Sequence, residues 1–145
     1  MTQTFAPVDQ ERIETVLDEF DLMYFRGEDG TTRTAFPGLV VFFQIEDFGF
    51  RVSTRWLATA RTADDIETLR YESNTLNQMM MRIRLHPVVR ADGTAVLLIE
   101  APFYTTAGVT DQQLRQMLSF YFSGIHYVAE QMRGHLPHIV DELEA

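Results

Sequence analysis

The stretch "FRVSTRWLA", residues 50–58, constrains the fold more than any other part of the sequence, because apolar and polar side chains alternate along it. A period of two is typical of a β-strand whose two faces differ. One face of this strand carries large apolar side chains, which are Phe50, Val52 and Trp56. The other face carries polar side chains, which are Arg51, Ser53 and Arg55. The strand therefore belongs to a sheet with one buried face and one face in water.

Two amphipathic helices that can cover such a sheet are predicted in the first half of the chain. The first follows Pro7 in "VDQERIETVLDEFD", and its apolar stripe consists of Ile13, Val16, Leu17 and Phe20. The second begins at Thr62, whose hydroxyl is suited to cap it, and Asp64 and Asp65 favour the positive end of its dipole. Its stripe continues through Ile66, Leu69, Leu76 and Met80.

The longest predicted helix begins in "GVTDQQL", where Thr110 and Gln113 fit a capping box, with Val109 and Leu114 placed as a hydrophobic staple. Gly134 and Pro137 are expected to end it. Its core stripe is Leu114, Leu118, Tyr121, Ile125, Val128 and Met132. Three aromatic residues lie off this stripe, namely Phe120, Phe122 and Tyr127. Such a helix is covered on more than one side, either by the sheet plus another helix or by a second subunit.

Extended segments precede and follow the second helix. "LMYFRGEDGTTRTAF" provides two strand arms around a tight turn at Asp29-Gly30. The run "LVVFFQI" has the length and composition of a strand, and Pro37-Gly38 before it suggests a bend where the second arm continues into this run. Together with residues 50–58, these segments predict a three-strand meander.

The stretch "NQMMMRIRLHP", residues 77–87, changes its apolar spacing from the helical period to the strand period. Unbranched methionine suits such a junction, because it packs into irregular gaps. A soft-metal site would need further ligands, and His86 alternates onto the face opposite Met81. The methionines are therefore interpreted as core packing.

The hairpin after this stretch has two possible registers. A two-residue turn on "DG" would place Leu85 opposite Glu100 and break the apolar face. A three-residue turn on "ADG", with Gly93 in the left-handed conformation, aligns the apolar residues instead. The second register is therefore predicted, with the pairs Arg90–Thr94, Val89–Ala95, Leu85–Ile99, Ile83–Ala101, Met81–Phe103 and Arg84–Glu100.

These elements predict an α+β fold in the order α-β-β-β-α-β-β-α. Five antiparallel strands, a meander plus a hairpin, form the sheet, and three helices pack on one face. Residues 1–145 are expected to form a single domain, with 1–7 and 138–145 as flexible or weakly ordered ends.

The charge pattern excludes several classes of partner. The net charge is −9 and all twelve basic residues are arginine, so general binding of phosphate backbones is not expected. The chain has no cysteine, which removes disulfides and thiol chemistry. No signal segment or apolar run of membrane-spanning length is present, so a cytoplasmic protein without a membrane partner is predicted.

No catalytic residue, metal ligand or cofactor site is predicted. The histidines at positions 86, 126, 135 and 138 are interpreted as packing or helix-end residues, and no phosphate loop or serine elbow occurs. A non-catalytic protein-interaction module is the leading hypothesis. A small-ligand sensor with a pocket between the last helix and the sheet, lined by Trp56, Phe103 and Tyr121, is the alternative. A pocket that holds His126 beside a carboxylate would favour a divergent hydrolase or isomerase.

Four arginines are the candidate partner-binding residues, namely Arg51, Arg55, Arg82 and Arg84. Each alternates with residues assigned to the core, so all four are expected on the sheet face away from the helices. Solvated arginines paired with Glu100 and nearby acids are one interpretation. Capture of an acidic partner segment, or of the acidic tail of a neighbouring chain, is the other. A homodimer is also predicted, from the off-stripe aromatics of the last helix and from Ile66, Leu69 and Leu76 of the second.

The order of elements resembles the YbjN family over roughly residues 8–136. The similar features are the "EDG" turn, the aromatic-rich third strand with Trp56, Asn77 at the end of the second helix, and the segments "RADGTAVLLIE" and "GVTDQQLRQML". The "WN" that usually precedes the fourth strand in that family is "LN" here. The resemblance implies the fold of type III secretion chaperones and a small, often dimeric cytoplasmic regulator of sensory transduction or stress. It implies no enzymatic activity.

Overall fold

The computed structural model describes residues 4–144, which form four helices and six strands. In chain order they are α1 (Gln10–Glu19), β1 (Tyr24–Arg26), β2 (Thr32–Phe36), β3 (Leu39–Glu46), β4 (Gly49–Ala60), α2 (Ala63–Met79), β5 (Arg84–Val89), β6 (Ala95–Tyr104), α3 (Asp111–His135) and α4 (Pro137–Glu144). The α+β class is confirmed, whereas the predicted counts of five strands and three helices are wrong.

The six strands form one antiparallel sheet in the order β1-β2-β3-β4-β6-β5. Burial alternates strictly along all twelve residues of β4, as the sequence of this strand predicts. The buried side chains of the central strands form one core with side chains from all four helices. The helices therefore cover one face of the sheet, and within residues 4–144 no helix lies against the other face.

The sheet has six strands because the chain reverses at Pro37-Gly38, where the sequence predicts a bend in a continuous strand. Phe36 pairs with Leu39, so Pro37 and Gly38 between them form a tight hairpin turn that joins β2 to β3. Proline restricts φ at the first turn position, and Gly38 takes φ 76 at the second, which is the pattern of a type II turn. The second arm of the first hairpin consequently ends here, and β3 runs back beside it.

The predicted register of the β5–β6 hairpin is confirmed. Leu85 pairs with Ile99, Val89 pairs with Ala95 and Arg84 pairs with Glu100. Gly93 has φ 84, and the Arg90 amide donates to the Thr94 carbonyl at 2.7 Å. The two pairs nearest α2 are wrong, because β5 begins only at Arg84 and Met81 is 82% exposed rather than opposite Phe103.

The fourth helix continues the chain after a sharp break. Leu136 has φ −131, which ends α3, and Pro137 then starts α4, since proline is favoured in the first turn of a helix. Ile139 and Val140 of α4 are buried in the core. Weak ordering of residues 1–7 and 138–145 stays a prediction.

Asn77 joins α2 to the outer edge of the sheet. Its Nδ2 donates to the Leu85 carbonyl at 3.0 Å, and its Oδ1 accepts from the Leu85 amide at 2.8 Å. An edge strand with free backbone groups can pair with another chain. The two hydrogen bonds from Asn77 satisfy the backbone amide and carbonyl of Leu85 on the edge strand β5. Within residues 4–144, none of the helices combines the length and the apolar character needed to cross a membrane.

Candidate protein-interaction site

Two of the four candidate arginines lie on the open face of the sheet. Arg51 and Arg55 alternate with buried residues of β4 and point away from the helices. The Arg51 Nη1 atom is 3.2 Å from Glu46 Oε1, and its guanidinium lies 5.7 Å from the ring centroid of Phe48. Arg51 is therefore partly neutralised, as the interpretation with solvated ion pairs expected.

The other two arginines lie where α2 leads into β5, which begins at Arg84. Arg82 is on the connection from α2 to β5, where its Nη1 donates to the Pro102 carbonyl at 3.1 Å. Its guanidinium lies 5.4 Å from the ring centroid of Phe103, a residue that packs against α3. The Arg84 Nη1 donates to the Asn77 and Met80 carbonyls at 3.2 and 2.9 Å. Pro102 is also the strand partner of Arg51, and Arg84 pairs with Glu100, so one strand, β6, lies between these two arginines and β4.

The connection between α2 and β5 lies directly on α3. Ile83 is fully buried there, and a Cβ on Gly124 of α3 would come within 2.1 Å of its Cδ1. The preceding residue, Arg82, takes φ 69, a left-handed conformation that is uncommon for a residue with a side chain. This turn places Met81 outward while Ile83 points inward, so the three methionines at positions 79–81 do not share one role.

A long apolar surface results, which we call the Met–Phe groove. It consists of two cavities of about 520 and 600 Å³ that share Phe120 as a lining residue. The first cavity is lined mainly by Phe5, Arg82, Phe103, Tyr104, Met117 and Phe120. The second is lined mainly by Met80, Met81, Ile83, Phe120, Gly124 and Tyr127. Five large apolar or aromatic side chains of this groove are well exposed, namely Phe5 (63%), Met81 (82%), Tyr104 (68%), Phe120 (45%) and Tyr127 (43%).

The charge of the Met–Phe groove is unlike that of the whole chain. Among the described residues that line it there is no aspartate or glutamate, although the chain carries a net charge of −9. Its polar lining is neutral apart from Arg82 and consists of Gln113, Gln116, Ser119 and Ser123. Arg84 adds a second positive charge beside Met80. The groove is therefore apolar with a positive margin at one end.

The ligand pocket expected from the sequence is not formed by the three residues named for it. Trp56 and Phe103 line two different cavities, and Tyr121 is fully buried. The Tyr121 hydroxyl is 2.7 Å from Thr54 Oγ1 and donates to the Ile99 carbonyl at 3.1 Å. Burial raises the pKa of Tyr121 far above its usual range. Tyr121 is therefore a core residue that ties α3 to the sheet.

The four histidines are separated from one another, and three of them face carboxylates. The Nε2 atoms of His135 and His138 are 3.2 and 2.8 Å from Glu72 and Asp65 of α2, respectively. His86 is 3.2 Å from Glu100 across the β5–β6 pair. The described residues contain no group of three or more acidic or histidine side chains arranged to hold a metal ion.

Comparison with known proteins identifies a likeness of fold. No protein-family model matches the sequence, and no curated protein matches it significantly. The crystal structure of YbjN from E. coli, described as "a putative transcription regulator", superimposes with a TM-score of 0.76. The superposition covers 91% of this chain and 96% of that one, with 13% identical residues. This chain has the YbjN fold. The resemblance inferred from the sequence is confirmed at that level.

The residues that line the Met–Phe groove come from several elements and do not form a sequence motif. Sequence reasoning missed the groove because it placed Met81 and Arg82 in a regular strand, on opposite faces of the sheet. Two signals pointed toward it, namely the methionine run and the aromatics Phe120 and Tyr127 off the core stripe of α3. Phe122, the third such aromatic, lies in the core against Phe36 and Phe43.

Proposed function

We propose that this protein is a non-catalytic interaction module, a regulator or adaptor, that receives an amphipathic segment of another protein in the Met–Phe groove. The observation that carries the proposal is an elongated apolar surface with exposed methionine and aromatic side chains and no carboxylate in its described lining. Methionine-rich grooves suit this role, because the flexible thioether side chains adapt to different apolar faces.

The chemistry of the lining argues for binding rather than catalysis. Ser119 and Ser123 are the hydroxyl groups of the second cavity, and among its described lining residues there is no histidine or carboxylate to activate them. YbjN, the structural neighbour, is likewise described as a regulator rather than an enzyme. A role in secretion is not part of the proposal, because likeness of fold alone does not transfer function.

The segment that fits the groove has apolar residues at helical spacing and an acidic residue near one end. Burial of Met81 and Phe120 would each supply about 1–2 kcal/mol, since both are substantially exposed without a partner. The acidic residue would meet Arg82, whose guanidinium can form a bidentate contact with a carboxylate. The sequence-based expectation of an acidic partner therefore applies first to Arg82 and Arg84, which lie at the groove, and Arg51 and Arg55 stay candidates on the nearby strand β4.

The test uses two synthetic helical peptides with the same leucine spacing, one with glutamate and one with lysine at the polar positions. We expect the acidic peptide to bind and the basic peptide not to bind. Met81→Ser and Phe120→Ser should each weaken binding about fivefold to thirtyfold, the loss that corresponds to about 1–2 kcal/mol. Met23→Ser is the matched control, because Met23 is 91% exposed and lies outside the groove lining.

Charge reversal locates the contact more closely. Arg82→Glu should weaken binding of the acidic peptide and strengthen binding of the lysine peptide, whereas Arg70→Glu, at an exposed arginine of α2 outside the groove lining, should change neither. Equal binding of both peptides by the unmodified protein, or an unchanged affinity in Met81→Ser and Phe120→Ser, would contradict the proposal. A pull-down from the host with the same variants would then identify the natural partner.

A further inference from the structure

Another cavity, separate from the Met–Phe groove, lies on the opposite flank of α3 and has a different chemistry. It encloses about 480 Å³ between α3, α4 and the Pro37-Gly38 turn, and we call it the α4 cleft. One wall is apolar and consists of Leu39, Trp56, Leu57, Val140 and Leu143. This volume lies within the range of small-molecule sites, which is about 300–1,000 Å³.

The opposite wall of the α4 cleft carries polar groups of α3. His126, Glu130 and Arg133 line it, and their spacing of four and three residues places them on one face of the helix. This is the combination of His126 with a carboxylate for which the sequence analysis allowed a catalytic interpretation. The described lining of the cleft contains no serine, threonine or cysteine, so it lacks the usual nucleophiles.

The hydrogen bonding of His126 fixes what its ring presents to the cleft. The Nδ1 atom lies 2.7 Å from the Phe122 carbonyl, and since a carbonyl only accepts, Nδ1 must carry the proton of that bond. In the neutral ring the Nε2 atom is therefore an acceptor without a hydrogen. Edge-to-face packing of His126 on Phe36, with ring centroids 4.6 Å apart, holds the ring in this orientation.

The Glu130 carboxylate and the Arg133 guanidinium of this wall have different surroundings. Within residues 4–144, Glu130 has no hydrogen-bond or ion-pair partner, whereas Arg133 takes part in an interaction of its own. The cleft thus offers an imidazole acceptor and an exposed carboxylate without a hydrogen-bond partner among residues 4–144, one helical turn apart, beside an apolar wall. A ligand that contacts both groups favourably donates hydrogen bonds and carries positive charge.

We propose that the α4 cleft binds a small amine with an apolar body, with the ammonium group between His126 and Glu130 and the body against Trp56 and Leu143. This proposal does not depend on the Met–Phe groove, because none of the described residues lines both sites. Val140 and Leu143 belong to α4, so the ligand would also rest against this last helix.

The test follows the indole N–H signal of Trp56 by NMR, because Trp56 is the only tryptophan in the chain and lines the cleft. Three probes of nearly equal size are titrated, namely 2-phenylethylamine, 2-phenylethanol and 3-phenylpropanoate. We expect a saturable shift with the amine and at least about fivefold weaker binding of the alcohol and the carboxylate, a difference of about 1 kcal/mol.

Variants then assign the ammonium contact. Glu130→Gln should weaken binding of the amine about fivefold or more and leave binding of the alcohol unchanged. Glu67→Gln, which alters an exposed glutamate of α2 outside the cleft, should change neither affinity. Absence of a saturable shift with the amine would overturn the proposal. Equal or tighter binding of the carboxylate, or full amine affinity in Glu130→Gln, would overturn it as well.

Discussion

Replacement of Gly49 by alanine should destabilise this protein more than any other glycine substitution outside the helices. Gly49 begins β4, opposite Tyr104, and has φ 145, a region that residues with a side chain rarely adopt. A Cβ at this position would lie 2.2 Å from the Phe103 carbonyl oxygen and 2.7 Å from the Thr105 amide nitrogen. Both neighbours are backbone atoms of the strand end beside the Met–Phe groove, so a rotamer change cannot relieve the clash.

The expected cost combines two terms. The unfavourable backbone conformation costs about 1–3 kcal/mol, and displacement of packed backbone costs a further ~1–3 kcal/mol. A loss of about 2–6 kcal/mol is a large part of the ~5–15 kcal/mol that a domain of this kind has in total. Because Phe103 and Tyr104 line the groove, the displaced strand end should also lower affinity for the acidic peptide.

Two other glycines separate these terms. Gly93 has φ 84 but open space around its Cβ position, so Gly93→Ala should cost only about 1–2 kcal/mol. Gly134 has open space and lies within α3, so Gly134→Ala should stabilise by about 0.4–1 kcal/mol. Urea denaturation followed by the fluorescence of Trp56 gives all three values. A loss for Gly49→Ala no larger than that for Gly93→Ala would refute the argument from backbone contact.

Three further predictions concern the core, the sheet edge and the oligomer. Burial raises the pKa of Tyr121 in the folded protein above its unfolded value of about 10, so the unfolded chain loses the phenolic proton at lower pH. The contribution of Tyr121 to the free energy of unfolding should therefore be present below pH about 10 and should decrease above it by up to ~1.4 kcal/mol per pH unit. Tyr121→Phe should flatten this alkaline limb in denaturation curves, and an unchanged slope would contradict the assignment. Asn77→Ala should cost about 1–3 kcal/mol and speed hydrogen exchange at Leu85, because both backbone groups of Leu85 lose their partner; equal exchange rates would argue against this role. Light scattering at high micromolar concentration should give twice 16.7 kDa for the predicted homodimer, and a mass of 16.7 kDa would contradict that prediction.

The elements were predictable wherever local chemistry and burial agreed. The capping box at Thr110 and Gln113 is present as expected, and the register of the β5–β6 hairpin followed from apolar alignment alone. The turn at Pro37-Gly38 was missed for a physical reason. A proline before a strand fits both a bend and a tight turn, and only the pairing of β2 with β3 decides between them.

The candidate site was harder to predict than the fold, because it depends on one backbone conformation. Strict alternation would have placed Met81, Ile83 and Leu85 on the same face. The left-handed turn at Arg82 instead exposes Met81 and buries Ile83 against Gly124. Nothing in a run of methionine, arginine and isoleucine requires that turn, since Arg82 is a residue type that rarely adopts it. The close fit of Ile83 against Gly124 of α3 is a tertiary contact, and it favours this conformation.

The long helix α3 explains why the sequence has apolar residues around so much of its circumference. Its central stripe, including Leu118, Tyr121 and Ile125, is fully buried against the sheet. One flank, with Phe120 and Tyr127, forms the Met–Phe groove, and the other, with His126 and Glu130, forms the α4 cleft. A helix with 3.6 residues per turn can present three such faces only if the residues between core positions are divided between its two flanks. The off-stripe aromatics therefore do not by themselves require a second subunit, because Phe122 belongs to the core and the other two already line a groove of the folded chain.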